Sequence, residues 1–275
     1  MITIKDASLS YKRNNPVIDR IDLDIQPGCI YGLLGKNGEG KTTLLNVLSG
    51  QLFLNEGTCH VFGEEPAKRN AGLLQKLFLL PEEINMPDVT AMQYIRMYAP
   101  FYPTFSHDIL KACFESFEVD FSARLKKMSQ GQRKKIAITL ALAVHTPLLL
   151  MDEPTNGLDI PSKDVFRKLL ASFTNEEQTV IISTHQVRDL ESLIDAVLIL
   201  DNKKIILNSR LNEISRKLFF RLTNPEEDVL YRNQTPFGLM GVGENTDGEE
   251  TPVSLELLFN AATLHPQEIK RIFNR

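Results

Sequence analysis

Between Gly35 and Thr43 the chain reads Gly-Lys-Asn-Gly-Glu-Gly-Lys-Thr-Thr, and no other stretch limits the possible folds so sharply. The spacing is G-x-x-x-x-G-K-[ST], a loop that wraps backbone N–H groups around a phosphate. Those N–H groups converge on an anion only where side chains leave room, which explains the glycines. The loop has to join a strand to a helix, and both flanks comply. Cys29-Ile30-Tyr31-Gly32-Leu33-Leu34 is a short apolar run and reads as a buried strand. Residues 42–49 read as a helix stopped by Gly50. That helix points its positive end at the phosphates. Lys41 is expected at the β- and γ-phosphates and the Thr42 hydroxyl at Mg²⁺. Gly35, Lys36, Asn37, Gly38, Glu39, Gly40, Lys41, Thr42 and Thr43 are the candidate phosphate-binding segment.

The rest of the pattern extends this unit into an α/β chain. Residues 148–151 and 179–183 read as further buried strands, with residues 130–144 a helix ahead of the first. Residues 196–200 and 204–207 read as a hairpin across Asp201-Asn202. Strands alternating with helices imply a parallel sheet, and the hairpins add an antiparallel part. That part includes the alternation of Ile2, Ile4, Ile21, Leu23 and Ile25, with turns expected at Asn14-Asn15-Pro16 and Gln26-Pro27-Gly28. A short strand is expected within residues 57–63. Pro81, Pro87, Pro100 and Pro103 punctuate short helical patterns, and residues 85–127 read as a small helical insertion whose aromatic residues form its core. Residues 211–275 read as a small C-terminal extension. It holds short strands at 219–222 and 229–231, a mobile loop at 243–250 and a final amphipathic helix from Leu255.

Composition narrows the setting. A chain of 275 residues with 43% hydrophobic and 24% charged residues is an ordinary globule with an ample core. The formal net charge of −4 argues against a dedicated nucleic-acid binder. The longest nearly apolar run, residues 136–144, is far short of the roughly 18 needed for a membrane span. The start has no basic region followed by an apolar stretch, so no secretory signal is expected. Cys29, Cys59 and Cys113 are scattered, which fits a reducing cytoplasm rather than a disulfide frame or zinc site.

Three further features point to chemistry. The apolar run at 148–151 ends in Asp152-Glu153, one acid suited to Mg²⁺ and the next to orienting or deprotonating water. His185 follows the strand at 179–183, where a side chain can reach a ligand in the crevice beyond the strand ends. Met128-Ser129-Gln130-Gly131-Gln132 opens a helix and offers a second anion site. The following Arg133-Lys134-Lys135 reads as a solvated face.

The order of these pieces resembles an ABC transporter ATP-binding subunit over residues 1–210, with residues 85–135 as its helical subdomain. The resemblance implies a P-loop NTPase fold of the ABC nucleotide-binding type, with an antiparallel β subdomain. Residues 128–132 stand for the signature Leu-Ser-Gly-Gly-Gln, Gly157-Leu158-Asp159 for the D-loop, and His185 for the switch histidine. Tyr11 falls where the family stacks an aromatic on adenine. Two departures stand out. Met128 and Gln130 replace the signature's leucine and first glycine. Leu79-Leu80-Pro81-Glu82-Glu83 aligns with Leu-Pro-Gln-Glu, so Glu82 replaces the family's glutamine, with Gln75 the competing candidate. Residues 79–83 and 101–105 resemble the multidrug and bacitracin-resistance-like exporter subclass.

The resemblance implies ATP and Mg²⁺ as cofactors, with Glu153, His185 and Glu82 catalytic and Thr42, Glu82 and Asp152 on the metal. It implies a homodimer in which Ser129, Gln130, Gly131 and Gln132 act in trans beside Asp159. It also implies a separate transmembrane permease, so that the chain sits peripherally on the inner face of the membrane. The permease would dock near Glu82 and the helical insertion, where Met86, Met92 and Met97 offer an adaptable surface. The alternative is a soluble ABC-type ATPase acting on a protein or nucleic acid.

Overall fold

A computed structural model describes residues 1–12, 15–236 and 238–274. The chain opens with β1 (Ile2–Lys12) and β2 (Asn15–Ile25), antiparallel strands in which Ile2 faces Ile25 and Ile4 faces Leu23. Asn14 of the expected turn lies outside the described residues, while Asn15 and Pro16 already belong to β2. β3 (Ile30–Leu34) leads into α1 (Lys41–Leu48), and β4 (Glu56–Val61) returns to pair with β1. The antiparallel sheet thus has the order β2-β1-β4.

After the single turn α2 (Ala71–Leu74) comes β5 (Leu77–Leu80). The helical insertion holds α3 (Ala91–Tyr98) and α4 (His107–Phe117), each started by a hydroxyl cap, Thr90 and Ser106. Tyr94, Phe114 and Phe117 are buried there, but Tyr98 and Phe101 are exposed, so only part of the aromatic cluster forms the core that the sequence predicts. α5 (Gln130–Ala143) begins at Ser129, whose side chain accepts from the Gln132 N–H while the Gln132 side chain accepts from the Ser129 N–H.

β6 (Leu148–Asp152), α6 (Ile160–Phe173), β7 (Thr179–Thr184), β8 (Ala196–Asp201) and β9 (Lys204–Arg210) complete the main sheet. Its order is β5-β6-β7-β3-β8-β9, parallel except for the β8–β9 hairpin. The strands have apolar residues on both faces, as in a sheet covered on both sides. Ile30 and Leu34 of β3 and Leu149 and Met151 of β6 pack toward α5 and α6. Tyr31 and Leu33, with Leu148 and Leu150, pack toward α1 and the antiparallel sheet. This alternation is the period-2 geometry of a strand. Register sets Leu34 beside Thr184 and Asp152 beside Ser183, so the strands that matter for chemistry end side by side.

The extension is built from α7 (Leu211–Lys217), β10 (Leu218–Leu222), β11 (Tyr231–Thr235), β12 (Gly238–Glu244), α8 (Leu255–Leu264) and α9 (Pro266–Phe273). Leu255, Leu258 and Ile269 share one hydrophobic cluster with Phe166 and Ile199 of the main domain. Here the sequence-based expectations need correction. The strand expected at 229–231 starts only at Tyr231. Gly243 and Glu244, expected in a loop, lie in β12 opposite Phe219 and Leu218. The glycines in β12 answer to space: a Cβ on Gly243 would stand 2.8 Å from the Phe219 ring. The final helix is two, with Pro266 at the start of the second.

Candidate nucleotide site

The loop between β3 and α1 is held by close backbone approach. A Cβ on Gly35 would lie 2.7 Å from the Leu200 carbonyl oxygen. Gly40 has φ +106 and would bring a Cβ 2.9 Å from the Val17 carbonyl oxygen, so only glycine suits it. Lys41 is buried, and its Nζ donates to the carbonyls of Gly35 at 2.7 Å and Lys36 at 3.2 Å. Burial lowers its pKa from the usual 10.5, against the pull of Glu153, Asp152, Glu82 and Glu39. Glu39 itself turns to the β8–β9 hairpin, where Oε2 accepts from the Lys203 N–H at 3.3 Å.

The acids at the end of β6 meet this loop. Thr42 Oγ1 donates to Asp152 Oδ2 at 2.7 Å, and the Ser183 hydroxyl donates to Asp152 Oδ1. Glu153 follows with φ +44, an uncommon value for a side-chain-bearing residue and disfavoured before Pro154. Ser183 secures it: the Glu153 N–H donates to the Ser183 carbonyl at 3.2 Å and hydroxyl at 3.1 Å. The Glu153 carboxylate then stands 2.8 Å from His185 Nδ1 and 3.9 Å from Lys41 Nζ.

Glu82, just past β5, enters the same place and accepts from Asn156 Nδ2 at 2.9 Å. Gln75 ends α2 ahead of β5 and does not line the cleft. Tyr11 holds its hydroxyl 3.1 Å from Thr43 Oγ1 and leaves its side chain largely exposed at the rim. Together Tyr11, Asn37, Lys41, Glu82, Glu153 and His185 face a cleft of about 600 Å³. Ser183 and Asn156 escaped the sequence reading. Their signals were a polar residue closing an apolar strand and an amide three positions past Glu153.

Ser129, Gln130, Gly131 and Gln132 stand apart from this cleft. They start α5 beside the loop that leads to α6, and a Cβ on Gly131 would lie 3.1 Å from the Gly157 carbonyl oxygen. Asp159 caps α6 by accepting from the Ser162 N–H at 3.0 Å. The Ser162 bonds hold its carboxyl below the ordinary value. The basic run departs from expectation: Lys134 is only 4% exposed, not solvated. Its Nζ donates to the Glu82 carbonyl at 3.1 Å. Burial lowers its pKa, opposed by Glu82, Asp152 and Glu153.

A family model described as ABC transporter matches residues 18–156. The chain belongs to the ABC transporter family. This ABC protein is 31% identical over 226 residues to the ABC transporter ATP-binding protein NatA of Bacillus subtilis, covering 78% of this chain and 91% of that one. It is 29% identical to the Nod factor export ATP-binding protein I of Cupriavidus metallidurans, covering 72% and 67%. A solved dimeric ATP-binding cassette, in a post-hydrolysis state with ADP and Pi, superposes with a TM-score of 0.67 at 22% identity, covering 77% of this chain and 99% of that one. At that identity the likeness speaks for the fold. As an ABC ATP-binding domain, the chain is an ATPase. Among the described residues no helix is long and apolar enough to cross a membrane.

Proposed function

We propose that this ABC ATPase powers export as a homodimer beneath a separate transmembrane permease, peripheral to the inner face of the membrane. The observation that carries the reading is the meeting of Lys41, Thr42, Asp152, Glu153 and His185 in one cleft at the strand ends. Lys41 and the N-terminus of α1 hold the β- and γ-phosphates. Tyr11 presents its ring to the adenine. Glu153 orients the attacking water and takes its proton, and His185 steadies that carboxylate through the 2.8 Å contact.

Thr42, Asp152 and Glu82 are the proposed Mg²⁺ site. Their donors are hydroxyl and carboxylate oxygens, the set this ion prefers. Among the described residues no group of three His, Cys, Asp or Glu converges on a metal position. An ion held by Thr42, Asp152 and Glu82 would supply positive charge against the phosphates.

The separation of residues 129–132 from the chain's own cleft favours action on a partner's ATP. Ile160, 78% exposed beside Asp159, gives that face an apolar contact. ATP bridging both chains binds the closed pair better than the open one, and hydrolysis removes the difference. Of the three methionines expected at the docking surface, Met97 is exposed while Met86 and Met92 are half-buried. Met97, Tyr98 and Phe101 flank a groove lined by Ile84 and Tyr102, an apolar seat for a permease helix. Export follows the relative named for Nod factor export.

The test is a tagged Glu153→Gln chain purified from detergent-solubilised native membranes. A stoichiometric multi-span partner is expected. Recovery from the soluble fraction alone would replace the exporter with a soluble ABC ATPase.

A further inference from the structure

Behind the nucleotide cleft the segments that leave β6 and β7 are joined a second time. Glu153 and His185 make the first join across 2.8 Å. Thr155 follows closely after Glu153, and Asp189 follows His185 in the single 3₁₀ turn Val187–Asp189. Thr155 Oγ1 donates to Asp189 Oδ2 at 3.0 Å. Lys163, in the first turn of α6, donates to the same oxygen at 2.6 Å and to Gln186 Oε1 at 3.0 Å. Thr155 is buried and the Lys163–Asp189 pair largely so, which spares it most solvent screening. Thr155, Lys163 and Asp189 all lie outside the lining of the cleft.

We propose that Asp189 is a positioning residue for ATP hydrolysis: by holding Thr155 and Lys163 it keeps Glu153 and His185 aligned with each other. The inference rests on the nucleotide-site reading above. The His185 side chain is 34% exposed, so packing alone does not fix the ring. Its aim depends on the segment that follows, and Lys163 ties that segment down at Gln186 and Asp189. Glu153 depends on its neighbours too. It has φ +44 and precedes Pro154, a backbone state that the surroundings must impose. Ser183 anchors it directly, through the Glu153 N–H. Asp189 anchors the far side, through Thr155 and across the stiff Pro154. A carboxylate suits this duty, because one oxygen can accept from a hydroxyl and an ammonium together. Lys163 brings in a third segment, since Asp159 caps the helix that carries it. The clamp thus binds the base, its histidine and the start of α6 into one unit without touching the nucleotide.

The test changes either side of the Thr155–Asp189 bond in the full chain. Phosphate release at saturating ATP reads kcat, trinitrophenyl-ATP reads affinity, and the melting temperature reads stability. Asp189→Ala should lower kcat by about 10–100-fold, the scale of a catalytic pair out of place. Thr155→Val keeps the shape but removes the hydroxyl, and should lower kcat at least about fivefold. Thr155→Ser restores the hydroxyl and should stay within about twofold of the natural chain. Affinity should hold within about twofold in all three, because the loss falls on the transition state. NMR of isotope-labelled histidine rings gives a second readout that needs no turnover. The His185 signal, identified by its loss in His185→Ala, should move in Asp189→Ala and Thr155→Val and stay in Thr155→Ser. The other four of the five histidines should not move, as they would if the fold merely loosened. If Asp189→Ala melts early, the Thr155 pair carries the test. Natural kcat in Thr155→Val, equal losses in Thr155→Val and Thr155→Ser, or an unmoved His185 signal overturns the proposal. Failure of the natural chain to bind the probe overturns the nucleotide-site reading itself, and with it this inference.

Discussion

Glu153→Gln changes one atom in a side chain that is almost wholly buried. The amide retains an oxygen that can accept from His185 across the 2.8 Å contact, so the local geometry is preserved. Basicity is lost, together with a negative charge 3.9 Å from Lys41. Removing a positioned general base slows turnover by about 10²–10⁴. At about 1.4 kcal/mol per decade, that is about 3–5 kcal/mol added to the barrier. ATP affinity should hold or tighten, because the carboxylate competes with the phosphates for Lys41. Phosphate release at saturating ATP reads the first effect. Gel filtration with ATP reads the second, as a dimer that no longer dissociates. Turnover within about threefold of the natural chain would refute the assignment of Glu153 as base.

The lowered pKa of Lys41 makes ATP affinity sensitive to alkaline pH. Only the ammonium attracts phosphate, and burial causes it to lose its proton below the usual value. Affinity in the natural chain should therefore fall about tenfold per pH unit once that lowered pKa is passed. Lys41→Arg should flatten the profile, since a guanidinium stays charged, and a flat titration of the natural chain would count against the phosphate role. Leu258→Ala removes a fully buried side chain from the cluster joining the extension to the main domain, and should cost about 2–5 kcal/mol. Calorimetry should show one transition moved down by roughly 4–15 °C, whereas two separated transitions would mean that the extension unfolds on its own.

Much of the fold was legible because its signals are local. The apolar runs of β3, β6 and β7 announce buried strands, and Ser129 followed by Gln132 announces the start of α5. The extension was harder to read. β12 carries Gly238, Gly241 and Gly243, a composition that reads as loop. The Phe219 ring requires one of those glycines by packing against it from a neighbouring strand. Lys134 misled for a related reason. A basic run on a helix is ordinarily solvated, and only the position of Glu82 against α5 shows that the middle lysine faces inward.

By itself the sequence determined the loop that surrounds a phosphate, the strand and helix on either side of it, and the order of acids and histidine that follows. Those features depend on backbone preferences within a few residues. Tertiary structure set Glu82 in the cleft and left Gln75 outside it, gave Ser183 its part in holding both acids, and turned Lys134 inward. Those contacts join residues far apart in the chain. Thr42 meets Asp152 across 110 positions, Glu82 meets Asn156 across 74, and Lys134 meets the Glu82 carbonyl across 52. Such pairs form only once the sheet order has set β3, β5, β6 and β7 in their places, and no spacing along the chain records that order.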